Sequence, residues 1–211
     1  RRHSAWIVED DFDSEYRFRG RPLPSLQGMD RDGRVVYVGT FSKTLFPALR
    51  LSYVVLPAAL APAAEVLMAA VPARPSLLGQ GALAHFIADG HFTTHLRRTR
   101  LLYAARQEAL LAGLARHLAP WLESERDPGG MHLIAQPVAA IAPLFDDRTV
   151  AAAAAQAGIA VAPLSACYVG RRRRHGLILG YAATPEGEID SACAALTQVL
   201  RLAVPIRRGN A

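Results

Sequence analysis

The first third of the chain alternates short apolar runs with polar turns. Three runs have the length and composition of buried strands, at residues 5–8, 34–39 and 50–56. Residues 12–33 between the first two carry scattered charge, glycines and prolines with little periodicity, which predicts a long loop with one helical turn. The first run leads into the acids Glu9, Asp10 and Asp11. The carboxyl end of a buried strand is where α/β proteins place their chemistry.

Apolar residues at helical spacing dominate the middle of the chain. They predict helices at residues 58–70, 77–89 and 92–118, the second capped by Ser76. Later patterns predict strands at 131–136, 159–162 and 176–181, and helices at 147–158 and 185–202, the last capped by Thr184. This order predicts an α/β protein in three parts: the remnant of a large mixed-sheet domain at 1–92, a long bridging helix at 93–119 and a small α+β domain at 120–211.

The amino-terminal end is unusual for a complete domain. Residue 1 is arginine, and the first predicted strand follows almost at once. A buried parallel strand needs neighbours and covered faces. We therefore expect this chain to be an N-terminally truncated fragment of a larger domain.

Composition and charge exclude several classes of protein. The 211 residues are 51% hydrophobic and 20% charged, which is ordinary for a globular protein, and no uncharged apolar run is long enough to predict a membrane span. The net charge of +6 is partly local, in the run Arg171–Arg174, and no basic stripe is interleaved with aromatic residues. Two cysteines make neither a disulfide framework nor a metal site, so we expect a cytoplasmic protein. His91 and His95 lack a third ligand, and we expect no metal there and two surface histidines.

One stretch carries the strongest chemical signal. Lys43, the only lysine of the chain, follows a predicted strand in a turn that also contains Thr40 and Ser42, and Arg50 follows seven positions later. A lysine among apolar neighbours can act as a neutral amine, as Schiff-base formation with an aldehyde requires, and an arginine suits a phosphate. An aldehyde and a phosphate together indicate pyridoxal 5′-phosphate (PLP). The alternative is a surface lysine and arginine in an ordinary strand–loop–strand connection.

Three motifs match a known family. They are VEDDFDSEYRF at residues 8–18, GRPLPSLQ at 20–27 and YVGTFSKTLFPALR at 37–50. Together they closely resemble the aminotransferase-like domain of MocR-type regulators, which join a GntR-type winged helix to a fold-type I PLP-dependent aminotransferase domain. The resemblance is weaker in residues 57–211, where the order of elements matches. It implies the C-terminal part of a fold-type I PLP-dependent transferase.

The resemblance assigns roles to individual residues. By motif, Lys43 corresponds to the Schiff-base lysine, and Asp10 to the acid that pairs with the pyridinium nitrogen, with Asp11 as the fallback. The predicted phosphate ligands are Thr40, Ser42 and Arg50.

The chain also departs from the family pattern at two places. Phe12 stands where the family usually has a tyrosine that bonds the phenolic oxygen of the cofactor, and we keep Phe12 as a cofactor contact through packing. Ile178 stands where these aminotransferases place the arginine for the substrate carboxylate, which leaves Arg174 as the candidate.

The resemblance implies a function and leaves alternatives open. The implied function is a PLP-binding domain of a transcriptional regulator, with an internal aldimine on Lys43, that senses PLP or an amine or amino acid. The implied partners are a second copy of the chain and DNA, the latter only through a winged helix absent from this chain. One alternative is a catalytically active class I/II aminotransferase. Another is a truncated fragment that does not bind the cofactor.

Overall fold

The computed structural model describes residues 5–71, 77–170 and 173–204. Ser76 and two members of the arginine run, Arg171 and Arg172, lie outside the described residues. The chain divides into two compact units, Arg1–Thr99 and Arg100–Ala211. Among the described helices, none combines the length and the apolar character that crossing a membrane requires.

A three-stranded mixed sheet organises the first unit. Its strands are β1 (Ile7–Asp11), β2 (Val35–Thr40) and β3 (Ser52–Val55), in the order β1-β2-β3. β1 pairs in parallel with β2, and β3 pairs with β2 in the antiparallel sense. Gly39 of β2 leaves room for the ring of Tyr53, because an added Cβ would lie 2.3 Å from a ring carbon. The three strands predicted from the apolar runs are present.

The helices of the first unit are short except for the last. They are α1 (Leu26–Met29), α2 (Ala61–Ala70) and α3 (Leu77–Ala88), and α4 (His91–Gly113) continues past the boundary between the units. 3-10 turns lie at Ser14–Tyr16, Pro47–Leu49 and Ala58–Leu60. The carboxylate of Glu9 accepts hydrogen bonds from the backbone of Leu26 and Gln27 at 2.8 and 2.9 Å. These bonds tie the long loop to the end of β1.

The second unit contains a separate antiparallel sheet. Its strands are β4 (Leu122–Ser124), β5 (His132–Pro137), β6 (Ala162–Pro163) and β7 (Leu177–Gly180), in the order β4-β5-β7-β6. The helices α5 (Asp147–Gln156) and α6 (Glu186–Ala203) accompany it, with 3-10 turns at Ala142–Leu144 and Leu164–Cys167. Its core includes Leu118, Leu133, Leu177 and Leu200, each at most 1% exposed.

The structure differs from the predicted elements at several places in the second unit, and β6 covers Ala162–Pro163 where a strand at 159–162 is predicted. α4 ends at Gly113 and a π-helical turn continues over Leu114–Leu118, where the apolar stripe had predicted one helix to residue 118. Thr184 does not cap α6, since Pro185 occupies the N-cap position and no side chain bonds the first turn. β4 was not predicted, because its three residues are too few to show alternation.

Asp147 is the buried polar centre of the second unit. Its carboxylate accepts hydrogen bonds from the backbone and hydroxyl of Ser165, both at 2.7 Å, and from the backbone of Gly176 at 3.2 Å. Nδ1 of His175 lies 3.1 Å from the same carboxylate. Burial alone would raise the pKa of Asp147, but the hydrogen bonds from Ser165, Gly176 and His175 outweigh it and hold that pKa below its ordinary value of 3.8. Asp147 therefore joins the start of α5 to the turn after β6 and to the start of β7.

Replacement of Asp147 is expected to weaken the second unit and change its response to acid. Asp147→Asn puts an amide NH2 group among donors, which we expect to lower the free energy of unfolding by about 2–3 kcal/mol at pH 7. Because the pKa is depressed in the folded state, the wild-type contribution is complete above pH 3.8 and is lost as the pH falls through the folded-state pKa. Urea unfolding at several pH values between 3 and 7 measures both effects.

The control for this variant is Glu125→Gln, which removes an exposed carboxylate of the same unit and should change the stability by less than about 0.5 kcal/mol. An Asp147→Asn chain that loses stability in acid as steeply as the wild type would contradict the account of this network.

Candidate functional site

Strand pairing brings the predicted site residues of the first unit to one edge of the sheet. β1 and β2 are parallel, with Asp10 opposite Val38, so their carboxyl ends lie at the same edge. β3 runs the other way, with Ser52 opposite Thr40, so it begins at that edge. Asp10 thus stands at the end of β1, Lys43 in the turn after β2, and Arg50 just before β3. Residues far apart in sequence meet at this edge.

The two acids at the end of β1 have different surroundings. Asp11 accepts hydrogen bonds from the backbone and hydroxyl of Ser14, at 3.1 and 2.6 Å, and from the hydroxyl of Tyr37. Burial would raise the pKa of Asp11, but these bonds hold it below its ordinary value. Asp10 is exposed, and its carboxylate makes no hydrogen bond or ion pair within the described ranges. Of the two, Asp10 is the carboxylate left for a ligand.

Lys43 is half-buried and lies against an aromatic ring. Its Nζ stands 4.6 Å from the ring centroid of Phe12, which is itself 46% exposed. A cation above an aromatic face at this distance is attracted by the ring by about 0.5–1 kcal/mol at an exposed site. The ring at position 12 therefore contacts the amine directly, in a place where a tyrosine would also offer a hydroxyl.

The hydroxyls and the arginine lie at the ends of β2 and β3. Oγ1 of Thr40 accepts a hydrogen bond from the backbone of Ser42 and lies within hydrogen-bond distance of Oγ of Ser52, both at 3.2 Å. Arg50 is exposed, and its guanidinium makes no hydrogen bond or ion pair within the described parts of the chain. Its backbone N–H donates to the carbonyl of Pro47 at 3.3 Å, and its backbone is left-handed with φ of 52°. That conformation is unfavourable for a residue with a Cβ and often marks a functional turn. Ser52 was not predicted, although it faces Thr40 across the pair β2–β3.

The backbone at Lys43 is held by two side chains that the sequence did not reveal. The hydroxyl of Tyr16 lies 3.1 Å from the carbonyl oxygen of Lys43, and Nε2 of His95 lies 2.7 Å from that of Thr44. Tyr16 is 1% exposed and His95 is half-buried. The prediction that His95 is a surface residue is therefore wrong, because its ring packs onto the turn and donates to it. His91 is exposed.

Arg174 belongs to the second unit and is exposed there. It lines an open groove of about 840 Å³ together with residues of β4, β5 and the loop between them, among them Glu123, Glu125 and Asp127. Its assignment to a substrate carboxylate stays a prediction.

Comparison with known proteins identifies the family. The sequence profile of "Aminotransferase class I and II" matches residues 2–196. The chain belongs to this family. Its members depend on PLP, which agrees with the cofactor predicted from Lys43 and its neighbours. The predicted fold-type I α/β architecture is confirmed by the solved structures of the family.

Individual relatives refine this assignment. The chain is 49% identical over 181 residues to the "probable rhizopine catabolism regulatory protein MocR" of Rhizobium meliloti, which covers 86% of this chain and 36% of that protein. The resemblance to MocR-type regulators is thereby confirmed. The structure is similar to multiple substrate aminotransferase from Thermococcus profundus (TM-score 0.81, 27% identity), covering 94% of this chain and 48% of that one.

A third relative is known with a cofactor derivative. It is the α-aminoadipate aminotransferase of Thermus thermophilus, complexed with N-(5′-phosphopyridoxyl)-L-leucine (TM-score 0.79, 27% identity, covering 94% of this chain and 50% of that one). The chain thus spans about half the length of these solved aminotransferases and little more than a third of the regulator.

The donor set of the first unit fits PLP. An amine, a carboxylate and a guanidinium end at one sheet edge, and the last two have no partner within the described residues. The hydroxyl of Thr40 lies at the same edge of the sheet, at the end of β2. The cofactor needs a primary amine for its aldehyde, an anion for its ring nitrogen and donors for its phosphate.

Thr44, next to the lysine, carries a buried hydroxyl without a hydrogen-bond partner among the described residues, and its side chain is 1% exposed. Because an unsatisfied buried hydroxyl is unfavourable, Thr44→Val should raise the free energy of unfolding by about 1 kcal/mol. Denaturant unfolding measures the change. The control is Thr44→Ser, which keeps the hydroxyl and removes the methyl group, and should lower the stability. Equal losses in both variants would show that the hydroxyl has a partner after all.

Proposed function

We propose that this chain binds PLP covalently through Lys43 and serves as the aminotransferase-like, ligand-sensing part of a transcriptional regulator. The observation that carries the proposal is the single sheet edge at which Lys43, Asp10 and Arg50 meet. The 49% identity to a regulatory protein supports the regulator in preference to an enzyme.

Each residue of the edge has a proposed task. Lys43 supplies the amine that joins the cofactor aldehyde, and the ring of Phe12 holds that amine while it is free and charged. Asp10 offers its unpartnered carboxylate to the ring nitrogen. Thr40 donates its hydroxyl hydrogen, and Arg50 its forked guanidinium, to the phosphate, with the backbone of Ser42 fixing the threonine. When bound, PLP supplies an electron sink and an aldehyde that reacts with primary amines.

The partners follow from the same similarity. We propose an amine or amino acid as the sensed molecule, a homodimer as the assembly, and contact with DNA through a winged-helix domain outside this chain. Relatives described as HTH-type transcriptional regulators support the DNA contact. A regulator of this kind works in the cytoplasm, which agrees with the free cysteines Cys167 and Cys193.

An absorbance titration tests the covalent link. The purified chain mixed with PLP should develop a visible absorbance band distinct from that of free PLP, and Lys43→Ala should abolish it. Because Lys43 is the only lysine, no other side chain can replace it. Lys43→Arg keeps the positive charge without a reactive amine and controls for nonspecific ionic binding. A band that persists in both variants, or no band in the wild type, would contradict the proposal.

The same sample separates a sensor from an enzyme. Addition of amino acids as donors should displace or perturb the Lys43-dependent band without converting the cofactor to its pyridoxamine form. Conversion of the cofactor to its pyridoxamine form by an amino-acid donor, and its return to PLP when a keto acid is added, would favour the catalytic alternative.

A further inference from the structure

We propose that Tyr16 and His95 are positioning residues that hold the backbone of the cofactor lysine and thereby aim its amine. This inference rests on the proposed function for its purpose, although the contacts themselves are independent of any ligand. The two residues belong to separate elements, the 3-10 turn Ser14–Tyr16 and the helix α4, and meet at the turn after β2.

Tyr16 acts on the peptide group of the lysine itself. Its hydroxyl has one hydrogen to donate, and the carbonyl oxygen of Lys43 at 3.1 Å is nearer than that of Thr44 at 3.4 Å. The side chain is 1% exposed, so its hydroxyl is shielded from solvent water. Phe12 lacks the hydroxyl that the family's usual tyrosine offers to the cofactor, whereas the hydroxyl of Tyr16, four residues later, contacts the main chain of Lys43.

His95 acts on the next peptide group. A carbonyl oxygen can only accept, so Nε2 of His95 carries the hydrogen that points to Thr44 across 2.7 Å. The ring projects from α4, whose backbone is locally reinforced by the hydroxyl of Thr99 bonding to the carbonyl of His95 at 3.0 Å. Because the helix backbone is rigid, the ring of His95 holds the carbonyl of Thr44 in a defined position.

The two bonds leave the lysine restrained at both ends. Consecutive carbonyls at positions 43 and 44 are fixed, which sets the direction in which the side chain leaves the backbone. At the other end, Nζ rests on the face of Phe12. An unrestrained lysine side chain has many rotamers, and selecting the one that brings the amine to an aldehyde costs conformational entropy.

The test uses the full chain and measures two properties of the Lys43 amine: its rate of acylation without the cofactor, and its reaction with PLP. The variants are Tyr16→Phe, which removes only the hydroxyl, His95→Ala, which removes the donor, and His95→Gln, which restores a donor. Tyr168→Phe and His85→Ala are matched controls, because neither side chain makes a hydrogen bond or ion pair within the described residues. Thermal unfolding first establishes a temperature at which every variant is folded.

The first readout is acylation of Lys43 by an N-hydroxysuccinimide ester, followed by mass spectrometry of the peptide that contains the only lysine. We expect Tyr16→Phe and His95→Ala to be acylated about threefold to tenfold faster than wild type, as the loss of one net hydrogen bond allows. His95→Gln should lie within about twofold of wild type. The rates should not change in low urea, which shows that labelling occurs from the folded state.

The second readout is the PLP concentration that half-saturates the Lys43-dependent absorbance band. It should rise about threefold to tenfold in Tyr16→Phe and His95→Ala and stay near the wild-type value in His95→Gln and both controls. Faster acylation together with weaker cofactor binding would show that the amine of Lys43 is no longer held in the orientation that PLP requires. A purely structural role would lower the melting temperature and leave the acylation rate of the folded protein unchanged.

Wild-type acylation rates in folded Tyr16→Phe and His95→Ala would overturn the positioning inference. Absence of a Lys43-dependent band in the wild type would instead overturn the proposed function, and the acylation rates would still decide the positioning question.

Discussion

Parallel pairing of β1 with β2 is the constraint on which the site depends. It places the carboxyl ends of two strands at one edge, so an acid at position 10 and a lysine at position 43 can face a common ligand. The antiparallel return of β3 then brings Arg50 to the same edge. A slip of one residue in the β1–β2 register would turn the side chain of Asp10 to the other face of the sheet and remove it from the site.

The polar side chains at this sheet edge are of two kinds: some form hydrogen bonds within the protein, and others have no protein partner. Four side chains form hydrogen bonds within the protein. Glu9 holds the long loop and Asp11 holds the end of β1, while Tyr16 and His95 hold the turn that contains Lys43. The carboxylate of Asp10 and the guanidinium of Arg50 have no partner within the described residues and are available to a ligand. Charged groups without a protein partner, next to polar side chains that are hydrogen-bonded to the protein, are typical of a binding site that is formed before its ligand binds.

Much of this could be predicted from the sequence because the signals are local. The strands of the first unit follow from apolar runs, and Lys43, Thr40 and Arg50 stand in one short motif. The choice between Asp10 and Asp11 could not be made from strand alternation alone, since it depends on Tyr37, a residue 26 positions away. The family resemblance favours Asp10, and the hydrogen bonds of Asp11 to Ser14 and Tyr37 support that choice, which stays a prediction.

Other features depend on distant contacts that leave no pattern in the chain. His95 lies 51 residues from Thr44, and its spacing from His91 suggested only a solvated helix face. Tyr16 is one aromatic residue among charges in the sequence, and its separation of 27 positions from Lys43 leaves no local pattern that would predict their contact.

Reductive trapping gives the sharpest test of Lys43 as the proposed covalent anchor of PLP. The chain would be mixed with PLP, reduced with borohydride, digested and mapped by mass spectrometry. We expect one phosphopyridoxyl group per chain, on the peptide that contains Lys43. Modification confined to the amino terminus, or none, would contradict it.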